Sequence, residues 1–144
     1  MCIFQGMCFY MIVFTSAYAV IETGYRQLFY GRYTTLGQTL ITFLWTPCIL
    51  IHFKIFDDDF YSVMLFPLNI WLCEILFGLY FLKSWGLRFW FYNDSFAFFN
   101  NMISLSFYGF WVLLGIVIHD FLLMFPYYFF ENWYVSKNIS YNNI

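Results

Sequence analysis

The stretch Phe60–Leu82, F-Y-S-V-M-L-F-P-L-N-I-W-L-C-E-I-L-F-G-L-Y-F-L, carries a single charged residue, Glu74. It is longer than the roughly 20 residues that a helix needs to cross the hydrocarbon of a bilayer. A soluble helix would need a polar face every turn, and this run has none. Three neighbours read the same way. Thr34–Phe53 holds no Asp, Glu, Lys or Arg, with His52 near its end. Met1–Ile21 is equally free of them, and Asn101–Ile118 is apolar up to the His119–Asp120 pair. Charges gather between the runs: Glu22, Arg26 and Arg32; Lys54 with Asp57–Asp59; Lys83, Arg88 and Asp94. Lipid imposes that segregation, because it offers unsatisfied polar groups no partner.

Composition agrees. The 144 residues are 63% hydrophobic and 10% charged, against about 25% charged in soluble domains. Six Lys/Arg and eight Asp/Glu cannot cover the surface of a water-soluble domain of this size. The expected fold class is therefore all-α, a polytopic membrane protein built as one transmembrane helical domain over 1–144. Its bundle has about four helices, spanning about 1–21, 34–53, 60–82 and 101–119, with a polar tail over 131–144. The segment Lys83–Phe99 combines Lys83, Arg88 and Asp94 with Trp85, Trp90 and Tyr92, which suits the headgroup region. It is expected at the interface before the last span. Pro47 and Pro67 lie inside spans two and three and are expected to kink them, since neighbouring helices can satisfy the freed carbonyls. Pro126, with the His119–Asp120 pair, places the end of the last span near residue 119.

The first run has a rival reading as a signal peptide, because Ala17-Tyr18-Ala19 resembles a cleavage site. No Lys or Arg precedes the run, so a retained helix is favoured. The positive-inside rule places Arg26, Arg32, Lys83 and Arg88 on one side and Lys54 and Lys137 on the other. That puts both termini outside the cytosol by a thin margin, and leaves endoplasmic reticulum and plasma membrane both open. The N-x-S sequons at Asn93 and Asn138 fall on opposite sides and do not decide the matter.

A net charge of −2 argues against nucleic acid as a partner. Lipid is the expected one, with other membrane subunits possible in addition. Cys2, Cys8, Cys48 and Cys73 show no C-x-x-C or zinc spacing and read as small hydrophobes. No metal and no cofactor are expected. His52 with Asp57–Asp59 is better read as a solvated acidic turn than as a cation site. No G-x-S-x-G, H-E-x-x-H, Walker or dinucleotide motif occurs, so no catalytic residue is assigned and no enzyme is expected.

Candidate binding residues remain. Glu74 lies about 20 Å along the helix from Phe60, at about 1.5 Å per residue. A charged residue at a helix centre costs about 2.5–3.5 kcal/mol to insert, so Glu74 marks a site or serves as a hydrogen-bonding tie within the bundle. Gly78, one turn on, lets another segment approach it closely. Thr35, Gln38, Thr42 and Thr46 form a polar stripe on the second span. Interhelical bonding is the favoured use, and the lining of a polar pathway the alternative, because Thr can also satisfy its own helix. Asn101, Ser104, Tyr108, Trp111, Gly115 and His119 would share a face of the fourth.

Glu74, Gly78, Trp90-Phe91-Tyr92-Asn93, Phe99, Ile103, Leu105, Trp111 and Gly115 stand at offsets that resemble the transmembrane protein 229 family. Bacterial relatives of that family are labelled as type IV ABC-transporter membrane proteins. Phe14-Thr15-Ser16-Ala17-Tyr18 is similar to its first-helix motif, and Thr34–Thr42 matches loosely. The chain departs from the pattern at Ala19, Cys73, Phe91 and Asn101. The resemblance singles out Trp90, Tyr92, Ile103, Leu105 and Trp111 as motif residues, and implies a multi-pass membrane protein without an established chemistry. The leading functional expectation is a non-enzymatic membrane protein, free-standing or an accessory subunit of a larger complex. The alternative is a transporter or lipid-handling permease using Glu74.

Overall fold

The computed structural model describes residues 3–31 and 33–125. The tail expected over 131–144, Pro126, Lys137, Asn138, Arg32, Cys2 and the first two residues of the first span lie outside the described residues. The fold is all-α. The helices are α1 (Ile3–Tyr30), α2 (Leu36–Ile55), α3 (Asp59–Met64), α4 (Phe66–Trp85) and α5 (Tyr108–Met124). Among the described residues, four stretches are long and apolar enough to cross a membrane: Gln5–Tyr30, Leu36–Ile55, Asp59–Trp85 and Leu105–Met124.

Helix boundaries depart from the charge pattern where local bonding overrules it. α1 continues past Ile21 to Tyr30, because Arg26 and Glu22 sit four apart and pair across one turn at 2.7 Å. Pro47 is held inside a continuous α2. Pro67 does not kink a single helix; it opens a new one. The chain breaks at Leu65, and Pro67 occupies the first turn of α4, where its missing N–H costs nothing. Asp58 caps α3 by accepting from the Tyr61 N–H at 3.0 Å. The last helix starts later than residue 101. Asn101 has a φ of 61° and Ser104 lies in a strand, so neither shares a helical face with Tyr108.

The chain divides into two compact units, Ile55–His119 and the residues on either side of it. In the flanking unit the Tyr10 and Phe14 rings meet Phe121, with centroids 6.5 and 5.9 Å apart. The Tyr10 hydroxyl donates to the Phe125 carbonyl at 2.6 Å. On α2, Gln38, Ile41, Trp45, Ile49 and Phe53 are buried at helical spacing, forming one covered stripe.

In the unit Ile55–His119, α5 runs antiparallel to α3 and the start of α4. The Tyr108 hydroxyl donates to the Met64 carbonyl at 2.6 Å. A Cβ at Gly115 would come within 3.0 Å of the Phe66 Cβ, so the two backbones approach as only glycine allows. His119 Nε2 meets Asp59 Oδ1 at 3.0 Å. Between α4 and α5 lies a short antiparallel hairpin, β1 (Ala97–Phe98) with β2 (Ile103–Ser104), pairing Ala97 with Ser104 and Phe98 with Ile103.

Candidate functional site

Glu74 lies near the middle of α4 with 3% of its surface exposed. Its Oε1 accepts from the Tyr92 hydroxyl at 2.7 Å. Local features bring Tyr92 there. Gly86, at a φ of 65°, ends α4; its N–H and that of Leu87 close on the Leu82 and Phe81 carbonyls. The chain then turns back along the helix it has just left. The Tyr92 N–H donates to Asn101 O at 2.8 Å, fastening it to the hairpin turn. Its ring lies 5.1 Å from that of Phe107.

The turn itself is unusual. Phe99, Asn100 and Asn101 hold φ angles of 50°, 55° and 61° in succession. Asparagine tolerates that region, whereas a bulky residue such as Phe99 does so only under constraint. The Arg88 Nη1 supplies part of it by donating to Asn100 O at 2.6 Å, with its guanidinium 5.2 Å from the Phe91 centroid. Asp94 supplies more. Its carboxylate accepts from the Ser104 hydroxyl at 2.7 Å and the Phe96 N–H at 2.9 Å, and more weakly from Ser106 at 3.3 Å. The Ser104 hydroxyl beside it is the main cause that holds the Asp94 carboxyl below its ordinary value.

Gly78 stands where sequence spacing suggested. A Cβ there would meet the Met102 Sδ at 2.8 Å, so the missing side chain makes room for the hairpin. Ile103 is buried, Leu105 is exposed, and Trp90 is half-buried beside Phe89 at 6.1 Å. Trp111 is buried on α5, and its indole N–H has no hydrogen-bond partner among the described residues. Glu74, Gly78, Tyr92 and Met102 thus form one cluster in which hairpin meets helix. Sequence reasoning singled out Glu74, Gly78 and Tyr92 separately but missed Met102 and Asp94. An Asp ten residues before a Ser in a turn-rich segment was the available hint.

The α2 stripe is arranged differently. Thr35 and Gln38 form a reciprocal capping box: Gln38 N–H donates to Thr35 Oγ1 at 3.3 Å, and Thr35 N–H to Gln38 Oε1 at 3.2 Å. The Thr42 and Thr46 hydroxyls donate to carbonyls one turn back, Gln38 O at 3.1 Å and Thr42 O at 2.9 Å. Each of these bonds is local to the helix. His119 pairs with Asp59 at the start of α3. Among the described residues, no group of three or more His, Cys, Asp or Glu could hold a metal ion.

No family profile, curated protein or solved structure matches this chain.

Proposed function

We propose that the chain is a non-enzymatic multi-pass membrane protein, free-standing or the accessory subunit of a larger complex. The carrying observation is the bond from Tyr92 to Glu74. It engages Oε1 of the carboxyl buried in mid-span with a hydroxyl of the same chain, which supports an architectural task for that side chain. The resemblance to the transmembrane protein 229 family points the same way, since several of its motif residues lie in or beside this contact. In this reading Glu74 fastens the segment between α4 and α5 to α4, and the apolar outer faces of the helices meet lipid.

The transporter or permease reading rests on the same residue. A carboxyl well inside a span is costly to insert, and such residues commonly carry protons or bind cations. The two readings separate in proteoliposomes loaded with a pH-sensitive dye. The architectural reading expects no proton or cation flux above empty vesicles, and a Glu74→Gln variant that assembles like the parent. Flux that disappears in Glu74→Gln, with folding intact, would replace it with the permease reading.

A further inference from the structure

Contacts along α4 give the depth of the segment that follows it. Counting back from Trp85, Gly78, Glu74 and Trp71 lie about 10, 16 and 21 Å down the helix, at about 1.5 Å per residue. Met102 fills the space at Gly78. Tyr92 reaches Glu74, and the Phe98 ring packs on Trp71 with centroids 5.5 Å apart. The chain therefore returns most of the length of α4 before α5 begins, beside Trp71 and Met64. α4 alone, at 20 residues, matches the roughly 30 Å of hydrocarbon.

Non-helical backbone at membrane depth persists only when buried in protein or lining water. Yet Asn93, Ser95 and Asn100 are exposed on the hairpin, side chains that hydrocarbon would penalise.

We infer that residues 86–107 form a re-entrant hairpin, entering the membrane from the Trp85 end of α4 and carrying a water-lined polar wall down to the level of Glu74. The ligand class such a recess admits is water and small hydrated ions from one side of the membrane. The inference rests on reading the long helices as membrane spans, so its test carries controls for that reading.

The measurement uses bimane attached to single cysteines, in chains whose native cysteines are alanine, reconstituted into phosphatidylcholine bilayers. Lipids with nitroxides at shallow or deep acyl positions report depth, and aqueous iodide reports water. The label at Phe98→Cys should be quenched best by the deep nitroxide, and that at Trp85→Cys by the shallow one. Iodide should quench labels at Asn93→Cys and Asn100→Cys but not at Leu72→Cys or Leu76→Cys, which replace exposed leucines of α4. Shallow quenching at Phe98→Cys would overturn the inference, and so would iodide failing to reach Asn93→Cys and Asn100→Cys. Iodide reaching Leu72→Cys and Leu76→Cys as well would overturn the membrane reading along with it. Hydroxyl-radical footprinting of the unsubstituted chain in the same bilayers tests the hairpin without any cysteine change. Oxidation should mark Phe91, Phe96 and Phe99 and spare Leu72 and Leu76, and the reverse pattern would sink the hairpin.

Discussion

Gln38 and Glu74 are both almost wholly buried, at 1% and 3% exposure, on helices that lipid would otherwise strip of polar groups. Gln38 is bonded within its own turn, to a threonine three residues away. Glu74 is bonded to a tyrosine 18 residues away, across a glycine cap and a hairpin. The difference separates two uses of polarity in a span. The local bond perfects a helix that would form anyway, whereas the distant one decides where a non-helical segment lies. A change at Glu74 should therefore disturb the fold of the unit Ile55–His119, and a change at Thr35 only the start of α2.

The sharpest break is at Glu74 itself. Glu74→Leu takes from the half-buried Tyr92 hydroxyl the carboxylate it donates to at 2.7 Å, at a cost of about 1–3 kcal/mol. Glu74→Gln keeps an acceptor of nearly the same size and should cost much less. Tyr92→Phe should resemble Glu74→Leu, and the double variant Glu74→Leu/Tyr92→Phe should cost less than the sum of the two singles. Reversible unfolding in mixed micelles supplies all four values. A fully tolerated Leu would mean that the bond positions nothing.

A second test sets a rigid contact against a yielding one. Gly115→Ala would press a methyl against the Phe66 Cβ at 3.0 Å, which cannot move without shifting α4. Gly78→Ala presses on the Met102 Sδ at 2.8 Å, the end of a flexible side chain. Overpacking costs about 1–3 kcal/mol, so Gly115→Ala is expected in that range and Gly78→Ala at its low end. Equal losses would show that the hairpin holds Met102 as firmly as α4 holds Phe66.

The helices were legible because lipid forces charge out of them, and that pattern needs no tertiary information. Glu74 was legible for the same reason, since it violates the pattern in a way that demands a neighbour, and Gly78 was legible because it lies one turn on and leaves room for one. The neighbour was not. Lys83–Phe99 has the composition of an interfacial segment, and composition does not report that Gly86 reverses the chain along α4. The left-handed run Phe99–Asn101 was hidden in the same way: two asparagines hint at a turn, but a phenylalanine argues against one. On α2, spacing revealed a polar stripe but not the direction of its bonds, because a threonine hydroxyl reaches its own helix as easily as another.

The local side of the comparison predicts a smaller, confined effect. Thr35→Ala removes the hydroxyl that accepts from the Gln38 N–H, a capping loss of about 0.5–2 kcal/mol, with about 1 typical. Hydrogen exchange should rise at the first turn of α2 and stay unchanged at Tyr92 and Met102. Faster exchange at the hairpin would erase the distinction between local and distant bonds.

The smallest expected effect is at Asp94, which fixes the hairpin from its exposed side. The Ser104 hydroxyl is the main cause that lowers its carboxyl from 3.8, helped by the Phe96 N–H and the Ser106 hydroxyl and opposed by desolvation. Because the folded value is the lower one, the unfolded chain binds the proton more readily in the window between them. The contribution to stability is thus complete above 3.8 and is lost as pH falls through the folded value. Water screens this group, so the effect should be slight and local. A fluorescent label on Ser95→Cys should gain mobility on acidification below 3.8, while the same label in an Asp94→Asn background should already be mobile at neutral pH and respond little to acid. Mobility that rose with increasing pH would reverse the sign, and would mean that the carboxylate strains the turn it is argued to hold.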